Sequence, residues 1–149
     1  MTYTPDAINH LTALIKGNDN ARIWLQKNNF PELILLHYSL NGYEDSLKKI
    51  SDKNNFDVIA FAHAIKRDKS AFKWLAENKK YEWAATVSVI HNDKKAQAWL
   101  VKYKFFHYIE LAHAIRENTT AVEDLGIFRT IAQAFRGLIV GIFRMLKKK

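Results

Sequence analysis

The sequence predicts an all-α fold, a right-handed-type α-solenoid of 25-residue two-helix repeats. Three observations carry that expectation. A step of 25 aligns Ile15, Leu40, Ile65, Ile90 and Ile115 in one aliphatic column, and Leu25, Ile50, Leu75, Leu100 and Leu125 in a second. The same step aligns Ala21, Ser46, Ala71, Ala96 and Ala121, all small. Five Gly and two Pro are poor punctuation for an all-β chain, which turns every 8–12 residues or so.

The elements follow in order as one helical-repeat domain, 1–149. Residues 1–17 are an N-terminal half unit, with Ile8, Leu11 and Ile15 on one helical face. Full units follow at 18–42, 43–67, 68–92 and 93–117, then a half unit at 118–126 and a longer basic amphipathic helix at 127–149. In the unit 68–92, Ala71, Trp74 and Leu75 fall at i, i+3, i+4 of the first helix. Asn18, Asp68, Asp93 and Asn118 are its N-caps, whose side chains accept from free backbone N–H groups; Tyr43 breaks that column and Asp45 caps instead. Asn28 and Asn78 close the first helix, because Asn tolerates the left-handed conformation. The second helix opens at Pro31, with Leu33, Leu36 and Leu40 as its stripe. Glu32, Asp57 and Glu82 lie in its first turn, where a carboxylate favours the dipole, and His107 departs from that column. About eleven helices are expected.

Trp24, Trp74 and Trp99 share a column that Lys49 and Asp124 interrupt. At one helical register beside a Leu column, they read as core and not as a ligand-stacking stripe. Ala21-Arg-Ile-Trp-Leu25, Ala71-Phe-Lys-Trp-Leu75 and Ala96-Gln-Ala-Trp-Leu100 share an A-x-x-W-L signature. On it the chain resembles uncharacterised bacterial short αα-repeat solenoid proteins, over about residues 5–125. Ser46-Leu-Lys-Lys-Ile50 and Ala121-Val-Glu-Asp-Leu125 lack the Trp. The resemblance implies a fold and no activity.

No nucleophile elbow, P-loop or dinucleotide fingerprint is present, and Cys is absent, so the expectation is not an enzyme, with no cofactor and no metal. His63 and His113 share a column two units apart. Helices pack about 8–10 Å apart, too far for two such residues to share one ion. The first residues lack a secretory signal, and no stretch of about 18 uncharged apolar residues exists, so a cytoplasmic location is expected.

The first functional reading is a protein-binding scaffold, because core columns repeat while a second-helix face varies. That candidate face holds Tyr38, His63, His91, His113, Lys66, Arg67 and Arg116, and its partner would be another protein or peptide. The second is nucleic-acid binding. The net charge of +8 is concentrated: residues 66–104 carry 10 Lys/Arg against 4 Asp/Glu, and Lys69, Lys73, Lys79, Lys94 and Lys104 form ridges along the units. The third concerns residues 127–149. Ile127, Ile131, Phe135, Leu138, Ile142 and Met145 share one face, with Arg129, Arg136 and Arg144 opposite and no acid. This segment either caps the repeat or lies on an anionic membrane surface. Oligomeric state is not legible.

Overall fold

The computed structural model describes residues 3–50 and 55–119, and over them the chain is all-α. Eight α-helices and one 3-10 segment follow one another, with no strand among the described residues: α1 Pro5–Ile15, α2 Asn20–Lys27, α3 Pro31–Leu40, the 3-10 segment Glu44–Lys49, α4 Phe56–Ile65, α5 Lys69–Glu77, α6 Tyr81–Ile90, α7 Lys94–Lys102 and α8 Phe106–Asn118. The starts of α3, α4, α6 and α8 are spaced at 25 residues, as are those of the 3-10 segment, α5 and α7. Residues 120–149, which hold the second half unit and the basic segment, lie outside the described residues.

Two sharp stops per unit set that spacing. Helices α1 to α7 are each followed by one residue of positive φ: Gly17, Asn29, Gly42, Arg67, Lys79, Asn92 and Lys104. The amide after it donates to the carbonyl five residues back, as from Asn18 to Ala13, Phe30 to Leu25 and Lys80 to Leu75, at 2.8–3.0 Å. This is the Schellman closure, which satisfies carbonyls that would otherwise be orphaned at a helix end. The left-handed residue is therefore Asn29 or Lys79, one place after the expected Asn28 and Asn78. Those two are instead C-caps whose side chains donate to the carbonyls of Trp24 and Trp74 at 2.8 Å. Glu117 occupies the column of Gly17 and Gly42 but lies within α8, which accordingly runs on to Asn118. Asn118 thus ends a helix, its amide donating to Ala114 O at 3.1 Å.

Asp68 and Asp93 do cap α5 and α7, accepting from Ala71 N, and from Lys95 N and Ala96 N. Where Tyr43 replaces the Asx residue, no side chain caps and the segment tightens to 3-10 geometry. Asp45 pairs there with Lys48 at 3.1 Å, with both side chains exposed.

Five helices, α1, α3, α4, α6 and α8, pack each on the next, and α8 packs back on α1, so the order closes into a ring. Outer helices bridge neighbours: α2 lies on α1 and α3, α5 on α4 and α6, and α7 on α6 and α8. The column Ile8, Leu33, Val58, Trp83, Tyr108 is fully buried on all five ring helices, and so is the column Leu11, Leu36, Phe61, Thr86, Leu111. Burial of this kind stabilises by about 1.5–3 kcal/mol per large side chain. The small column of Ala21, Ser46, Ala71 and Ala96 is also buried, where outer helices approach the ring. Leu25, Leu75 and Leu100 are fully buried beside it.

Candidate functional site

The ring helices α1, α3, α4 and α6 are each followed by an outer element that returns the chain, so the ring helices begin at one rim. The contacts there prove it. The Tyr3 hydroxyl donates to Glu32 Oε1 at 2.9 Å, and the Tyr3 ring meets Trp83 edge-on at 5.8 Å. Trp83 Nε1 donates to Asp57 Oδ2 at 3.2 Å, and its ring lies against Tyr108 at 5.3 Å. The acidic column is therefore buried at the closed rim and not exposed on a surface: Glu32, Asp57 and Glu82 are 6%, 2% and 8% exposed. Burial pushes the carboxyls of Asp57 and Glu82 above their ordinary range, against the pull of Lys80. Burial also raises the Tyr3 and Tyr108 hydroxyls, so both stay protonated donors. The Tyr108 hydroxyl has no hydrogen-bond partner among the described residues. His107, the fourth member of the column, is half-buried, and burial lowers its pKa. Sequence reasoning placed these acids correctly in first turns but missed that all three are buried.

Among the described residues no group of three His, Asp or Glu is placed to hold a metal ion. His10 stacks on Trp24 at 3.8 Å and 4°. Trp24 and Trp74 are half-buried and Trp99 is buried, stacked on Phe105 at 5.8 Å.

The variable face does not hold together as one surface. His91 is buried at 8% exposure, in the middle of the would-be face, because α6 is enclosed by α4, α5, α7 and α8. Lys66 is half-buried and donates to Ser39 O at 3.0 Å. Tyr38 is half-buried under the Arg22 guanidinium, 5.5 Å from its ring centre. Beside Arg22, burial lowers the pKa of His37. Arg67 is the left-handed residue after α4, and His63 is exposed.

His113 and Arg116 are brought together with part of α7. A groove of about 660 Å³ runs between α7 and the end of α8. Val89, Ala98 and Val101 give it apolar walls, with Lys94, His113 and Arg116 along it. Asp93 also lines it, but its carboxylate is committed to the α7 N-terminus at 2.9 and 3.2 Å. The five ridge lysines, Lys69, Lys73, Lys79, Lys94 and Lys104, are all exposed; Lys73 reaches Glu77 at 3.7 Å.

No protein-family model, curated protein or solved structure matches this chain.

Proposed function

We propose that this chain is a non-enzymatic interaction module, a helical-repeat scaffold of the solenoid type whose 25-residue A-x-x-W-L units hold a groove for an acidic segment of a partner protein. The α7–α8 groove carries this reading: apolar walls at Val89, Ala98 and Val101 beside the cations Lys94 and Arg116. Lys94 and Arg116 outnumber the single carboxylate of the groove, Asp93, so its charge favours an acidic and aliphatic ligand. Titration of the chain with short peptides that combine Leu with Asp or Glu tests it, against Lys-containing counterparts. Arg116→Glu with Lys94→Glu should weaken the acidic peptides by about tenfold or more, whereas His63→Ala changes nothing. Unchanged affinity in the charge-reversed chain refutes the reading.

A second reading, nucleic-acid binding, is favoured by the exposure of all five ridge lysines. A salt series with duplex and single-stranded oligonucleotides separates the two. Affinity that is flat in salt, or unchanged by Lys69→Glu with Lys94→Glu, excludes it.

A further inference from the structure

We infer that the rim where α6 and α8 begin is a track for single-stranded nucleic acid, with Lys79, Lys102 and Lys104 on its phosphates and Tyr103 and Phe106 against its bases. This rests on the nucleic-acid reading above and narrows it to one strand and one end of the fold. The five ridge lysines do not form one row. Lys69 and Lys94 open α5 and α7, whereas Lys79 and Lys104 follow the ends of those helices as left-handed residues. Nine residues of helix hold the two ends about 13 Å apart. Beside Lys69 and Lys94 stand the capping carboxylates of Asp68 and Asp93. Beside Lys79 and Lys104 stand aromatic rings.

The turn from α7 to α8 reads Lys102-Tyr103-Lys104-Phe105-Phe106, and its Tyr103 and Phe106 are 38% and 55% exposed. Phe56 and Tyr81 hold the column of Phe106 at the starts of α4 and α6, the first exposed and the second half-buried. Helix α6 packs on both α4 and α8, so these rings stand on adjacent helices along one rim. Lys79, Lys102 and Lys104 are exposed and make no ion pair among the described residues. The acids of this rim oppose them weakly. Glu32, Asp57 and Glu82 are buried, and burial favours the neutral carboxyl of the last two. Glu77 pairs with Lys73 at 3.7 Å, and the exposed Asp6 and Glu110 are outnumbered by the three lysines. A duplex would give the lysines its phosphates but leave the rings unused, because its bases stack on one another. A single strand engages both, with phosphates on the cations and base faces on the rings.

The test is fluorescence anisotropy of the full chain with labelled oligothymidylate and oligouridylate of about 12 nucleotides, against a duplex of equal length, in a salt series. Either single strand should bind more tightly than the duplex, and the tighter of the two assigns DNA or RNA. Three phosphate contacts give a slope of log affinity on log salt of about −2. Lys79→Gln with Lys104→Gln should make it shallower by about 1.4. Lys69→Gln with Lys94→Gln acts only at long range, so it should weaken binding less and leave the slope close to the parent's. Phe106→Ala should lower affinity by roughly 5- to 100-fold at unchanged slope, and Phe106→Trp, which keeps a stacking face, should restore it. Three results overturn the inference while leaving nucleic-acid binding itself standing: duplex bound as tightly as single strand; Phe106→Ala binding as the parent does; or the Lys69 and Lys94 pair costing as much as the Lys79 and Lys104 pair. Affinity that is flat in salt for every oligonucleotide overturns both. Sedimentation with phosphatidylserine vesicles by a chain that ignores the oligonucleotides also overturns it, and makes a lipid surface the partner.

Discussion

Trp83 joins three parts of the rim, and its replacement is the sharpest test of the packing. It is fully buried, with Phe61 at 4.5 Å, Tyr108 at 5.3 Å and Tyr3 at 5.8 Å between ring centres. These neighbours come from α4, α8 and the segment before α1, so one side chain bridges much of the rim. Trp83→Ala deletes the bridge and should cost about 3–5 kcal/mol. At about 3 °C per kcal/mol for a chain of this size, the melting temperature should fall by roughly 10–15 °C. Trp83→Phe keeps an aromatic ring but removes the N–H that Asp57 accepts at 3.2 Å. It should cost about 1–3 kcal/mol, because a buried acceptor loses its donor. That loss depends on pH. The indole hydrogen bond stabilises the ionised carboxylate, so Trp83→Phe raises the Asp57 pKa further. The penalty should be larger at pH 8 than at pH 3, below the ordinary value of 3.8 that Asp57 exceeds. Urea unfolding followed by far-UV circular dichroism at both pH values gives the two numbers. A loss under about 1 kcal/mol for Trp83→Ala would refute the packing account. An equal Trp83→Phe penalty at both pH values would refute the Asp57 bond.

Two further predictions test the rim and the outer helices. Burial raises the Glu82 carboxyl pKa in the fold, so the folded state holds that proton more tightly than the unfolded chain. Its destabilising effect is absent below the ordinary value of 4.5 and complete above the raised folded value. Glu82→Gln should therefore be more stable than the parent at pH 8 and lose less stability on going from acid to neutral pH; a lower urea midpoint at pH 8 would contradict this. Leu75→Ala should cost about 2–5 kcal/mol because Leu75 is fully buried, Trp74→Ala less because Trp74 is half-buried, and Lys73→Ala about nothing. Thermal melts in another order would mean that the register of α5 is wrong.

Much of this was legible in residue order. The 25-residue columns specified helix length and face, and Asp68 and Asp93 capped where a short acceptor side chain sits before an apolar stripe. The weak first helix at 44–49 was foreshadowed by Tyr43 in the capping column and Lys49 in the Trp column. The longer α8 had a partial signal: Glu117 stands where three of the four earlier positions carry Gly or Asn, residues that accept positive φ at little cost, Arg67 being the other. The candidate site was less legible. His91 looked like a surface histidine by its column, and only the enclosure of α6 removed it from the face. His113 and Arg116 were named from their column, but not that Lys94 and Val101 of α7 would face them across a groove.

The sequence by itself determined an all-α chain, a period of 25 and which stripe of each helix is apolar, because these depend on side-chain spacing within a few turns. Tertiary structure decided that α1 meets α8 and that Glu32, Asp57 and Glu82 are buried around one rim. The reason is geometric. Whether successive units close depends on the angle between neighbouring ring helices, and that angle is set by the side-chain volumes filling each contact. Phe61, Trp83 and Tyr108 fill such contacts here, between residues far apart in the chain.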